Sequence, residues 1–383
     1  MKIIKKSFLF IAISILLMCS IAINLGQTYA IEYTPEVSTK ASILIDMDSK
    51  QVLHEHNSTT RMPVASIVKL MTIMLTFEHI NSGAISLDDN VMVSTNASSM
   101  GGSQIFLDAN SEYNLGELLK SVIVCSANDS SVALAEHIAG SENAFVDKMN
   151  SRAKEMGLDN TNYINCTGLP AKNQYSCALD VSKILSNVLT YDKYHEYSSV
   201  WLEDFQHPSG RTTEMTNTNR LSRFYEGCIG GKTGSTSEAG YCLAVGAKRN
   251  NLSLISVVLG ANTTKERFKS ASDLLNFGFA NFENHIIDTS NLVNISYKDE
   301  RPVKIKIDGT CSILCEKGKI PDYTINCYIP HTISKCAMGQ ELGHLEIIIN
   351  NEVYSTLKVL ADEQIDEASF GDHLKEIYED FIG

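Results

Sequence analysis

The segment Met62–Leu75, MPVASIVKLMTIML, is apolar almost throughout, yet it carries Ser66 and Lys69 three residues apart. Lysine is among the residues least often buried, and an unpaired buried charge is costly. On a helix, positions i and i+3 share a face, so hydroxyl and amine would lie side by side. That pairing can do nucleophilic chemistry, because a serine hydroxyl attacks well only when a neighbouring base takes its proton. The lysine must then be neutral part of the time. Bringing its pKa from about 10.4 to near 7 requires roughly 4–5 kcal/mol of selective destabilisation of the ammonium. Burial and a second nearby cation supply such an effect. The bland alternative is a small residue at a packing contact, beside a lysine whose stem lies on apolar surface and whose amine reaches water.

Spacing alone does not separate the two, since Ser151–Lys154 and Ser355–Lys358 repeat it. The first falls in a polar amphipathic stretch. The second falls in a predicted strand, where i and i+3 point to opposite faces. Two further clusters bear on the choice. CSANDS (125–130) sets Ser126 and Asn128 in a polar break between helical stretches. There a hydroxyl can relay a proton and an amide can hold a carbonyl. S-x-N also recurs at Ser94–Asn96 and Ser141–Asn143, and Asn128, Asp129 or Ser130 would equally serve as helix caps. GGKTGST (230–236) puts Lys232 and Thr233 on a strand edge, with glycines allowing close approach. That makes a docking rail for an extended anionic peptide. K-T-G occurs once, and its competing reading is an ordinary turn.

The elements that must position these groups follow from periodicity. ASILIDMDSKQVLHEHN alternates around an Asp-Ser-Lys turn and predicts a hairpin. Residues 62–80 are apolar for too long to be one strand, so a buried helix is expected, with Pro63 in its first turn. LGELLKSVIV, SSVALAEHIAG and ENAFVDKMNSRAKEMGL predict three more helices. GCIGGKTGST, YCLAVGAKR and LSLISVVLGAN predict strands joined by SEAG and NN turns, and Lys265–Asn284 closes the region as a helix. Strands, a helical block, strands and a final helix make an α+β domain, an antiparallel sheet covered by helices. From about His285 the chain turns to short strands: VNISYK, PVKIKID, TINCYIP, LEIIIN and EVYSTLKVL. The acidic end, DHLKEIYEDFIG, is compatible with a short helix.

The 383 residues carry a formal charge of −13 and no basic stripe, which argues against nucleic acid as the main partner but leaves room for an anionic substrate. Lys2, Lys5 and Lys6 precede the apolar run FLFIAISILLMCSIAI, and small residues close at Ala30. This pattern predicts an export signal over 1–30. A retained anchor is the alternative, although the run is short for a ~20-residue span. A lipoprotein site at Cys19 is disfavoured by bulky Met18. Of ten cysteines, losing Cys19 leaves nine, an odd number that cannot pair completely within one chain. Mostly buried thiols are expected, with one or two disulfides as the alternative. Cys311, Cys315, Cys327 and Cys336 lack the C-x2-C hooks of a zinc site. His54 and His56 lack the H-E-x-x-H spacing and are expected to face solvent; no metal is expected.

S-x-x-K, S-x-N and K-T-G in this order resemble the motifs of penicillin-binding proteins. The chain resembles in particular the low-molecular-mass group of serine-type D-alanyl-D-alanine carboxypeptidases. GGSQIFLDANSEYNLGELLKSVIVCSANDSSVALAEHIAG, NCTGLPAKNQYSCALDVSKI, NTNRLSRFYEGCIGGKTGSTSEAGYCLAVGAKR and RFKSASDLLNFGF look like that family, and CAMGQELGHLEIIINNEVYSTLKVLA looks like its C-terminal β domain. The resemblance implies a β-lactamase/transpeptidase-like domain with a helical subdomain over 31–284, an all-β domain over 285–366, and a tail over 367–383. It implies no cofactor. The partners would be peptidoglycan stem peptides, with β-lactam antibiotics as covalent inhibitors, and the location the cell envelope.

By the same resemblance Ser66 attacks the penultimate carbonyl, Lys69 is the general base, and Ser126 and Lys232 shuttle protons and hold the leaving group. Asn128 binds the substrate amide. The N–H groups of Ser66 and Ser235, which follows Gly234, form the oxyanion hole. Thr233 and Arg267 receive the terminal carboxylate. Ala127 stands where a glycine is common, and Ser235 where some members carry histidine. The acidic tail differs from the basic amphipathic anchor frequent in the family. Alternatives on the same scaffold are a β-lactamase, for which no E-x-x-L-N stretch is found, a muropeptide endopeptidase, or a non-catalytic envelope protein binding penicillin or muropeptides.

Overall fold

The computed structural model describes residues 35, 37–288, 296–297, 303–309, 311–330, 332–333 and 335–365. The expected signal sequence and acidic tail lie outside them. All described secondary structure belongs to the unit Val37–Gly383. Strands β1 (Ala41–Asp46) and β2 (Val52–His56) form the expected hairpin. Met62 then exchanges backbone hydrogen bonds with Ser176 in a strand-like bridge. The sequence predicts Pro63 in the first helical turn; the structure places it before the helix. The bridge holds Met62 extended, the conformation favoured ahead of a proline. A single 3-10 turn, Ala65–Val68, leads into α1 (Lys69–Asn81).

The antiparallel pair of β3 (Asn90–Met92) and β4 (Glu112–Asn114) precedes α2 (Leu115–Val124), α3 (Asn128–Ala139) and α4 (Glu142–Glu155). Then come α5 (Ala178–Val188), α6 (Asp192–Ser199) and the hairpin of β5 (Leu202–Gln206) and β6 (Thr212–Thr216). Neither pairing is expected from the sequence, and nor are α5 and α6, although Val181, Ile184, Leu185 and Val188 of α5 recur at helical spacing. Strands β7 (Cys228–Thr236), β8 (Gly240–Arg249) and β9 (Leu252–Ala261) run into α7 (Thr264–Asn281). The helix expected to reach Asn284 stops at Asn281. Phe282–Ile286 instead forms β10, whose backbone pairs with a later strand, so tertiary pairing overrides helical propensity.

The main sheet is antiparallel, in the order β2–β1–β9–β8–β7, leaving β7 as an edge. All six residues of β1 are buried, as is the whole of central β9, so both strands are covered on two faces. On one face Leu44, Leu254 and Val258 pack with Leu274, Leu275 and Phe279 of α7. On the other, Ile43, Ile45, Ile255 and Val257 pack with α1 and with Leu185 and Val188 of α5. Each such side chain contributes roughly 1.5–3 kcal/mol relative to exposure. The stretch Lys69–Phe77 of α1 is buried all round, and Lys69 is buried with it.

Beyond β10, β11 (Ser296–Tyr297), β12 (Ile305–Asp308), β13 (Ser312–Glu316), β14 (Tyr323–Tyr328), β15 (Thr332–Ile333), β16 (Glu341–Ile349) and β17 (Glu352–Ala361) follow. An antiparallel sheet β12–β17–β16–β14 packs around Val303, Leu345 and Val359. β10 pairs with β13, and β11 runs parallel to β15. The boundary expected after residue 284 falls inside β10. Cys166, Cys177, Cys242, Cys311, Cys315 and Cys336 are buried free thiols. His54 is half-buried and His56 exposed; no metal-binding cluster occurs among the described residues. No helix among the described residues is long and apolar enough to cross a membrane.

Candidate active site

Ser66 sits in the 3-10 turn at the head of α1, partly open to solvent, and Lys69 is the first residue of the α-helix. Residues i and i+3 eclipse in such a turn, and Lys69 Nζ lies 3.0 Å from Ser66 Oγ. The turn begins at Ala65 with φ of +50°, a conformation that costs a residue with a Cβ. Lys69 Nζ also donates to Asn128 Oδ1 at 2.6 Å and to the Thr167 carbonyl at 2.5 Å. Burial drives the Lys69 pKa down to about 7, against the opposing pull of Cys166, Cys125 and Asp129. A lysine half-neutral near pH 7 can accept the proton of the adjacent hydroxyl.

Lys232 is also fully buried, and its pKa lies well below the ordinary value. Burial is the larger cause, and the positive charges of Lys69 and Arg267 add to it. Lys232 Nζ donates to the Thr233 carbonyl at 3.1 Å. The two buried ammonium groups destabilise one another, so the site favours a state in which they do not both carry charge.

The break between α2 and α3 holds Ser126 and Asn128. Ser126 has φ of +65°, and its buried Oγ has no hydrogen-bond partner among the described residues. Asn128 opens α3; its Nδ2 donates to the Gly101 carbonyl at 2.6 Å while Oδ1 faces Lys69. Asp129 does not cap the helix by itself. Its buried carboxylate accepts from the backbone of Ile105 and Leu107, each at 3.1 Å, and of Ser130 at 2.9 Å. The loop above the site is thereby tied to α3.

Edge strand β7 brings the third cluster. A Cβ at Gly234 would stand 2.6 Å from the Val64 carbonyl and 3.0 Å from the Ser66 nitrogen. Only glycine lets the strand lie against the serine turn. Thr233 is buried and Ser235 exposed beside it. Arg267 of α7 reaches the back of this strand, with Nη1 3.4 Å from the carbonyls of Gly234 and Cys242 and the guanidinium over the Phe268 ring. Burial lowers its pKa to about 10. The structure thus gathers Ser66, Lys69 and Asn128 into direct contact and sets Lys232, Thr233, Gly234 and Ser235 along the adjoining edge. Thr167, Gly168 and Gly101 were given no role by their sequence. Gly168, with φ of +82°, would place a Cβ 2.1 Å from the Ala65 carbonyl, so it backs the same turn. A glycine before Leu-Pro in NCTGLP was the available signal.

A serine beside a buried lysine, between a helical region and the glycine-containing edge of an antiparallel sheet, defines a serine acyl-transfer enzyme of the transpeptidase fold. Residues 28–263 match the family model for D-alanyl-D-alanine carboxypeptidases, peptidase family S11. The chain belongs to this family and is a serine-type D-alanyl-D-alanine carboxypeptidase. It is 38% identical over 342 residues to the D-alanyl-D-alanine carboxypeptidase DacF of Bacillus subtilis, covering 88% of each chain. It is 31% identical over 349 residues to DacC of Escherichia coli, covering 88% of this chain and 86% of that one. Penicillin-binding protein 5 of Haemophilus influenzae has a similar structure, with a TM-score of 0.69 at 29% identity, covering 87% of this chain and 99% of that one.

Proposed function

We propose that Ser66 is the nucleophile of this carboxypeptidase and that Lys69 removes its proton. The carrying observation is the 3.0 Å approach of Ser66 Oγ to an amine whose pKa burial has brought to about 7. Ser66 Oγ attacks the carbonyl between two D-alanines at the end of a peptidoglycan stem peptide, and Lys69 takes the hydroxyl proton. The backbone N–H groups of Ser66 and Ser235 stabilise the oxyanion. Collapse breaks the peptide bond, and a proton passes through Ser126 and Lys232 to the departing D-alanine nitrogen. Asn128 holds the substrate amide, while Thr233 with Lys232 and Arg267 attracts the terminal carboxylate. Water then hydrolyses the ester and frees Ser66. β-Lactams acylate the same oxygen. The basic, apolar N-terminus supports export, with the enzyme working in the cell envelope, and the turn to β-strands that begins with β10 at Phe282 supports a separate C-terminal domain.

The test is incubation of purified protein with a diacyl-Lys-D-Ala-D-Ala peptide and with fluorescent penicillin, alongside Ser66→Ala. D-Alanine release and stable one-to-one labelling, both lost in the variant, are expected. Rapid penicillin hydrolysis without D-alanine release would point to a β-lactamase, and labelling without turnover of either to a binding protein.

A further inference from the structure

Beyond Ser235 the edge of β7 ends in the turn to β8, where Glu238 is exposed. Glu238 lines a groove of about 520 Å³ that adjoins the serine turn. Met62, Pro63, Pro170 and Tyr175 supply its apolar lining. Its lining also carries charge of both signs, from the exposed residues Glu238 and Lys172. Neither makes a hydrogen bond or ion pair among the described residues. Arg61, the other cation lining the groove, is committed: Nε donates to Asn160 Oδ1 at 3.0 Å, and the guanidinium stacks on Tyr175.

The direction of the substrate follows from the catalytic proposal, on which this inference rests. A terminal carboxylate drawn to the Thr233 end makes an extended peptide run antiparallel along the β7 edge. Its upstream residues then pass Ser235 and Thr236 toward Glu238. A strand advances about 3.3 Å per residue, so the residue before D-alanyl-D-alanine comes alongside the groove.

We propose that this groove is the subsite for the side chain of that residue, and that Glu238 and Lys172 select a side chain ending in both an ammonium and a carboxylate. A diaminodicarboxylic acid such as diaminopimelate fits it. Glu238 takes the ammonium, Lys172 the carboxylate, and the methylene chain lies against Met62, Pro63 and Pro170. Lysine at the same position satisfies only Glu238 and leaves Lys172 without a counter-charge.

The experiment compares two peptides with the purified protein, acyl-Lys-D-Ala-D-Ala and the same peptide with diaminopimelate in place of lysine, its distal ammonium and carboxylate free. The wild type is expected to favour the diaminopimelyl peptide in kcat/KM by about three- to tenfold, the scale of one partly solvated charge contact. Lys172→Gln should shrink that preference by lowering the diaminopimelyl rate most, while Glu238→Gln should lower kcat/KM for both peptides. Acylation by benzylpenicillin, which has no such side chain, reports whether the catalytic centre is intact. Equal handling of the two peptides by the wild type, or an unchanged ratio in Lys172→Gln, would overturn the subsite alone. No D-alanine release from either peptide would overturn it together with the catalytic proposal.

Discussion

The main-chain carbonyl of Thr167 accepts a hydrogen bond at 2.5 Å from Lys69 Nζ, the same amine that meets Ser66 Oγ. With Asn128 Oδ1 at 2.6 Å, it gives the amine two partners that can only accept. A neutral amine has two N–H groups and one lone pair. Its N–H groups are taken by Thr167 and Asn128, so the lone pair is left for the Ser66 hydroxyl at 3.0 Å. Asn128→Leu removes one of these anchors and frees the amine to rotate. Acylation by penicillin should slow by about a hundredfold or more, the scale of misplacing a general base. Stopped-flow labelling measures this, and a rate within twofold of wild type would show that Asn128 does not orient the base.

The same buried amine sets the pH dependence of the reaction. Lys69 must be neutral to accept a proton, and burial brings its pKa to about 7. The rate of Ser66 acylation should therefore rise with pH through the neutral range and level off above it. Because Lys232 and Lys69 titrate as a coupled pair, the midpoint belongs to both. A profile flat between pH 5.5 and 8.5 would exclude a titrating lysine as the base.

Stability carries the opposite face of that shift. The unfolded chain holds the Lys69 proton up to its ordinary pKa of 10.5, whereas the folded chain loses it near 7. Between those limits the unfolded state binds more protons, so folding stability rises with pH, by up to ~1.4 kcal/mol per pH unit for one proton. Lys69→Met removes this contribution. Urea denaturation between pH 7.5 and 9.5 should show a shallower rise for the variant than for the wild type. Equal slopes would mean that Lys69 keeps its proton in the folded protein.

The legible parts of the site were those whose chemistry conflicts with their surroundings. Lys69 stood out because a lysine inside an apolar helix demands an explanation, and Lys232 because K-T-G sits on a predicted strand. The alternation of β1 and β2 and the apolar run of β9 gave the sheet for the same local reasons. What escaped depends on partners distant in sequence. Pro63 lies outside the helix because Met62 pairs with Ser176, and α7 stops at Asn281 because Phe282 pairs with Glu316. Thr167 supplies only its backbone carbonyl, which no side-chain pattern can signal. Asp129 has the residue type of a helix cap, yet its carboxylate accepts from the backbone N–H groups of Ile105 and Leu107, partners distant in sequence.

Gly234 and Gly168 hold the serine turn from two sides, and their replacement should separate geometry from stability. In Gly234→Ala the new methyl meets the Val64 carbonyl at 2.6 Å and the Ser66 nitrogen at 3.0 Å, both backbone atoms that cannot swing aside. Strand β7 must back away from the nucleophile, and acylation should fall by about a hundredfold. Gly168→Ala meets the Ala65 carbonyl at 2.1 Å and also forces a side chain into φ of +82°. It should lose stability by several kcal/mol as well as activity. Gly83→Ala is the control. It carries a similar φ of +74° with nothing within 4 Å of the added carbon. That variant should lose only about 1 kcal/mol and keep its acylation rate. Thermal unfolding and penicillin labelling on the three proteins decide the matter. If Gly234→Ala acylates as fast as Gly83→Ala, close packing of the strand against the serine turn is not what the reaction needs.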